Sequence, residues 1–144
     1  MKSSDFLLLC RSVRFGETDA AGVMHFHQLL RWCHEAYEES LEKFGVSPAD
    51  LFPRPGLYLE LLLPIVHCSA DYLAPLSCGD PLAIQLEPHL LDGSSFEVNY
   101  RFNSAGLSVA NAHTRHMCIY AIDRKRAPLP ASISRWLAAS VVTD

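Results

Sequence analysis

The chain has 144 residues, a formal net charge of -4 and a sequence pI near 5.9, which excludes a general affinity for nucleic acid or anionic membrane, since both need a basic face. Hydrophobic residues make up 49% and charged residues 19%, enough apolar surface for one core and unlike a disordered chain, while the length is too short for two domains. A single domain over residues 1–144 is expected, and any polyanionic ligand has to meet a local basic cluster.

Residues 6–15 are apolar and β-leaning and end at Gly16, so they read as a strand running into an irregular connection. The opening run Phe6-Leu7-Leu8-Leu9-Cys10 is broken by Arg11, far short of an export signal or a membrane span. The five cysteines include no Cys-x-x-Cys pair, which fits free thiols filling the core of a cytoplasmic protein. Over residues 27–44 the apolar positions Leu29, Leu30, Cys33, Ala36, Tyr37, Leu41 and Phe44 recur at three-and-four spacing. Arg31, Glu35, Glu38, Glu39, Glu42 and Lys43 take the other side, and Gly45 supplies the stop, so the spacing predicts one long helix of about five turns.

Residues 46–57, with Pro48, Pro53, Pro55 and Gly56, read as a loop or a short turn of helix. Beyond them the period becomes two, as in Leu82, Ile84 and Leu86 or Phe96, Val98, Tyr100 and Phe102. The expected strands cover residues 59–72, bent at Pro64, then 81–91, 95–103 and 107–122, arranged as an antiparallel meander and followed by a short helix over 131–139. One long helix after the first strand of an antiparallel sheet is an α+β arrangement in which the sheet curls around the helix. A single curled layer leaves an edge and part of a face uncovered, so a second copy of the chain is expected to pair with it.

Three stretches carry a family resemblance: Arg14-Phe15-Gly16-Glu17-Thr18-Asp19-Ala20-Ala21-Gly22-Val23-Met24-His25-Phe26, then residues 63–75, then Arg124-Lys125-Arg126-Ala127-Pro128-Leu129-Pro130. Together they resemble the 4-hydroxybenzoyl-CoA thioesterase family of hot-dog proteins along nearly the whole chain. The resemblance implies a hot-dog fold of about five strands around one helix, hydrolysis of an acyl-CoA without cofactor or metal, and Asp19 as the catalytic carboxylate. The helix text His34-Glu35-Ala36-Tyr37-Glu38 and the Ala-Pro-Leu-Pro tail most resemble the 1,4-dihydroxy-2-naphthoyl-CoA branch, of the phylloquinone pathway, which implies an aromatic acyl group. Two departures stand out. Phe26 occupies the place of a histidine in the Tol-associated branch, and the loop Asp92-Gly93-Ser94-Ser95 lacks the basic residues with which the benzoyl branch meets the CoA phosphates.

A thioester makes modest demands, because a thiol of pKa about 8.5 leaves without strong acid help, so one carboxylate and an oxyanion hole suffice. From spacing alone Asp19 is a loop aspartate; the resemblance makes it the carboxylate, as nucleophile or as general base, two roles the sequence leaves open. The backbone N–H of Phe26, aided by that of His27, is the expected oxyanion site, since unpaired amides and the positive end of the helix dipole coincide there. Gly22 lets the backbone come close to the thioester, or serves only as a turn residue. His25 is a candidate contact to the acyl group and His67 a candidate partner for a ring hydroxyl.

The seven histidines offer the pairs His25/His27 and His113/His116 but no His-Glu-x-x-His text, so no metal is expected. Glu35 is the rival acid, because another hot-dog branch uses a helix glutamate, yet its charged neighbours fit a solvated helix face. Arg124, Lys125 and Arg126 form the one basic run; the resemblance implies that they contact the CoA phosphates, and the plainer reading is a charged turn. The expected assembly is a homo-oligomer, dimer or tetramer. Competing readings are a thioesterase for 4-hydroxybenzoyl or short-chain acyl groups, a hot-dog hydratase, whose His-x-x-x-Gly-x-x-x-x-Pro text is absent, and a non-catalytic acyl-CoA-binding module.

Overall fold

Why the chain folds as it does is clearest in its one long helix. In the computed structural model, which describes residues 5–141, α1 spans Gln28–Phe44 and ends at Gly45, whose φ of 106° is open to glycine at little cost. The Gly45 N–H bonds the carbonyls of Leu41 and Glu42, and the Val46 N–H bonds Leu41 again, so the last turn is closed. Leu29, Trp32, Cys33, Ala36, Tyr37 and Leu41 are buried, while Leu30 and Phe44 are only half-buried. The apolar stripe therefore runs through Trp32 rather than Leu30, because Leu29, Trp32, Cys33, Ala36, Tyr37, Ser40 and Leu41 keep the three-and-four spacing of one helix face and Leu30 lies off it.

The strands are β1 (Leu8–Ser12), β2 (Leu61–Leu62), β3 (Ile65–Tyr72), β4 (Pro81–Asp92), β5 (Ser95–Ser104), β6 (Leu107–Met117) and β7 (Ile119–Tyr120), with α2 at Ala131–Ala139. Five of them form an antiparallel sheet in the order β1-β4-β5-β6-β3, and β2 pairs with β7 apart from it. Alternation sends Leu82, Ile84 and Leu86 of β4, Phe96, Val98, Tyr100 and Phe102 of β5, and Ala110, Ala112, Thr114 and His116 of β6 toward α1, where they are buried. Burial of each large side chain in this layer contributes about 1.5–3 kcal/mol. Against it α2 adds Trp136, whose indole N–H donates to the Ser40 hydroxyl at 3.0 Å.

Three expectations are corrected. The strand expected over 59–72 is cut at Pro64, which has no N–H for a ladder; β2 and β3 join different sheets, and only the Pro64 carbonyl is used, by Met117 N–H at 3.1 Å. The strand expected over 107–122 is likewise cut at Cys118, whose N–H bonds the Ser94 carbonyl instead. The meander holds only for β4, β5 and β6; β3 crosses to the far edge beside β6, over the connection 73–80 that Pro75 and Gly79 make irregular. As for the cysteines, all five are free thiols, but only Cys33 and Cys118 are buried; Cys68 lies on an edge strand that nothing covers. Nearly every residue of β3 is exposed, including Ile65, Val66 and Tyr72, an apolar edge of the kind that soluble monomers rarely leave bare.

Candidate active site

Asp19 sits between a 3-10 turn, Phe15–Glu17, and the start of α1. Its side-chain Oδ1 accepts the N–H groups of Ala21 at 2.8 Å and Val23 at 3.3 Å, while its backbone N–H bonds the Val23 carbonyl at 2.8 Å. Gly22, at φ 81°, turns the chain back so that both amides reach one oxygen. The carboxylate is half-buried and fixed in direction, and Oδ2 has no hydrogen-bond partner among the described residues. One oxygen orients the group and the other is available for chemistry.

Glu17 ties this loop to the helix. Its Oε1 accepts the Arg14 N–H at 2.7 Å, and its Oε2 accepts the Gln28 amide at 3.2 Å and the Trp32 indole N–H at 3.1 Å. The Glu17 carbonyl also takes the His25 N–H at 3.0 Å. No salt-bridge cation reaches this carboxylate among the described residues, so its charge rests on three N–H donors, two of them from nearly inaccessible side chains.

At the start of α1 the Gln28 N–H bonds the His25 carbonyl and the Arg31 N–H bonds that of His27. The N–H groups of Phe26 and His27 find no acceptor among the described residues, and no side chain caps the helix. Two donors and the positive helix end thus lie beside the loop that fixes Asp19. The Phe26 side chain is 76% exposed, the His25 and His27 rings lie 4.9 Å apart, and the Tyr72 hydroxyl donates to the Phe26 carbonyl. Tyr72, Val23, Met24 and residues 73–76 line a shallow cleft of about 310 Å³ next to these groups.

The loop and helix start therefore bring together Asp19, Gly22, His25, Phe26 and His27. The other candidates lie elsewhere in the same subunit. His67 is paired in register with Arg115 on the sheet face away from α1, its ring 5.7 Å from that of His113, which bonds Glu97 at 2.7 Å. Arg124, Lys125 and Arg126 form the turn after β7, closed by Arg124 N–H to the Tyr120 carbonyl, with Arg124 at φ 60° and Arg126 at 3.9 Å from Asp92. That turn lies past the Ile65 end of β3 and the Phe26 carbonyl meets the Tyr72 end, so they are separated by roughly the strand's length, about 23 Å.

Glu35 lies on a solvated helix face, its side chain 40% exposed, and Arg11 of β1 pairs with it at 3.0 Å and with Glu39 at 2.8 Å, which the residue pattern of the helix alone does not show. His113 and His116 point to opposite faces of β6. His116 is buried against Phe96 and bonds Thr114, and burial pushes its pKa down to about 3, with His34 and His113 adding to the effect. The sequence reading missed Glu17, Gln28, Trp32 and Tyr72; the one signal for them was that Gln28 and Trp32 stand four apart, one turn of the helix, and so face the same neighbour.

The comparisons with known proteins place the chain in a family. The model of the thioesterase-like superfamily matches residues 13–137. A 1,4-dihydroxy-2-naphthoyl-CoA hydrolase from Synechococcus sp. (strain RCC307) is 70% identical over 91% of this chain and 100% of its own. Another from Prochlorococcus marinus (strain MIT 9303) is 51% identical over 99% and 96%. The solved structure of a 1,4-dihydroxy-2-naphthoyl-CoA thioesterase from Synechocystis superposes with a TM-score of 0.85 at 34% identity, over 92% of this chain and 95% of that one. With its antiparallel sheet wrapped on one long helix, the chain belongs to the thioesterase-like superfamily of hot-dog α+β proteins.

Proposed function

We propose that the protein hydrolyses 1,4-dihydroxy-2-naphthoyl-CoA to 1,4-dihydroxy-2-naphthoate and CoA, with Asp19 as its catalytic carboxylate. The observation that carries this reading is the placing of a carboxylate with one free oxygen in the loop that leads to two unpartnered amides at a helix start. The thioester oxygen would take the Phe26 and His27 N–H groups, where developing charge is stabilised most. Oδ2 of Asp19 then attacks the carbonyl carbon, the C–S bond breaks, and the CoA thiolate leaves; water hydrolyses the acyl-aspartyl anhydride and restores the carboxylate. Two exposed aromatic side chains on either side of Asp19, Phe15 at 81% and Phe26 at 76%, suit a planar aromatic acyl group.

A second copy of the chain completes the reading. If β3 pairs antiparallel with itself across a two-fold axis, the Tyr72 end of one protomer meets the Ile65 end of the other. The partner's Arg126 turn then comes toward the Asp19 loop, which supplies the CoA phosphates with guanidinium groups that the same subunit holds too far away. His25 stays at the acyl end, and His67 on the outer face has no direct part in this arrangement. The five free thiols fit the expected cytoplasmic setting.

A panel of acyl-CoAs read by free-thiol release tests the substrate: the naphthoyl thioester should be fastest, and a faster acetyl-CoA or palmitoyl-CoA contradicts the assignment. In oxygen-18 water, label entering the Asp19 carboxylate marks an anhydride opened at its aspartyl carbonyl, and hydroxylamine should trap the acyl-enzyme; label confined to the released acid together with no trapped hydroxamate makes Asp19 a base instead.

A further inference from the structure

Tyr72 ends β3, on the edge of the sheet, and its register partner Ala110 is buried against α1, so the Tyr72 ring lies on the helix side. Its hydroxyl donates to the Phe26 carbonyl across 46 residues of chain, and among the described residues this is the one donor that carbonyl meets. The Phe26 carbonyl and the His27 N–H belong to a single peptide group. A hydrogen bond accepted at the oxygen polarises the group and makes its N–H a stronger donor, besides fixing the plane in which that N–H points.

We propose that Tyr72 is a positioning residue for hydrolysis, which acts through the Phe26–His27 peptide to aim and strengthen the His27 N–H toward the thioester oxygen. The inference rests on the oxyanion role given to that amide above, and deepens it. Burial, and secondarily Cys33, raise the Tyr72 phenol above its ordinary value, so the hydroxyl is a protonated donor across the neutral range. Because Tyr72 belongs to the bare edge strand, the strand that a second copy would cover is also the one that sets the oxyanion site.

Tyr72→Phe keeps the ring in the cleft and removes only the donor. With the purified oligomer and 1,4-dihydroxy-2-naphthoyl-CoA, kcat should fall about five- to tenfold, the loss of one neutral hydrogen bond, with KM within about twofold. In the Asp19→Asn background, which should hold substrate without turnover, the infrared stretch of an isotope-labelled thioester carbonyl should move toward its value in free solution when Tyr72→Phe is added. That frequency reports polarisation of the carbonyl and is insensitive to a mere loss of stability. An unchanged kcat and stretch, or a rise in KM alone, overturns the proposal and leaves Tyr72 as a packing residue, even though the wild type hydrolyses its substrate. A wild type without thioesterase activity removes the function itself and this inference with it. If Tyr72→Phe folds poorly, 3-fluorotyrosine at the same position, a stronger donor of nearly the same shape, should shift the stretch the opposite way, and no shift counts against the proposal.

Discussion

At its C-terminal end α1 is closed by Gly45, with the Leu41 and Glu42 carbonyls bonded and Tyr37, Ser40 and Leu41 packed under Trp136 and the sheet. At its N-terminal end the same helix is led in by His27 and has, among the described residues, no side-chain cap and no acceptor for the Phe26 and His27 amides, beside an exposed Phe26. On the proposed function, the difference marks where local stability gives way to chemistry: one end of the helix is completed by the protein, and the other would be completed by the thioester oxygen.

The contrast can be broken first at the closed end, where the largest effect on stability is expected. His116 is neutral in the fold, its pKa lowered from an ordinary 6.5 to about 3 chiefly by burial, so the unfolded chain takes up the proton first. Stability from this group is present above about pH 6.5 and is lost as pH falls toward 3, at roughly 1.4 kcal/mol per pH unit. Urea midpoints at pH 7, 5.5 and 4.5 should fall in step, and His116→Phe should flatten the trend.

At the open end, Glu17→Gln replaces an oxygen that accepts two side-chain N–H groups by an amide that cannot accept both rows of donors, at a cost of about 1–3 kcal/mol. Because Glu17 anchors the Asp19 loop, kcat should drop together with the melting temperature, and a variant that loses stability but keeps full kcat would separate the loop from the site. The smallest change sharpens the comparison from the other side. Phe26→Ala removes a 76% exposed ring and keeps both amides, so thermal melting should move by no more than about 0.5 kcal/mol while KM for the naphthoyl thioester rises a few-fold; an unchanged KM takes the ring out of the site.

Legibility in the sequence followed the same division. The stop at Gly45, the helix Ala131–Ala139 and the strands β4 and β5 were readable because each depends on local period and on turn residues. The path of β3 was not, since which strand it joins depends on contacts with β6 far along the chain, and the period of residues 59–72 is the same for either neighbour. Asp19, Phe26 and His27 are candidates through the text around them, whereas Glu17 reads as one more charged residue until its donors from the helix are in place. Tyr72 escaped for a similar reason: its partner is a backbone carbonyl, and backbone atoms carry no sequence signal. Glu35 is half legible: its pattern points to solvent, where its side chain stays 40% exposed, but its partner Arg11 comes from β1 and has no local signal.

The most direct test is Asp19→Asn assayed with 1,4-dihydroxy-2-naphthoyl-CoA, turnover and substrate affinity being measured on the same preparation. The side chain keeps an oxygen for the Ala21 and Val23 amides but loses the reacting carboxylate, so kcat should fall by roughly a thousandfold or more with affinity within a few-fold of wild type. Turnover at the wild-type rate would contradict the account and move the chemistry away from the start of the helix.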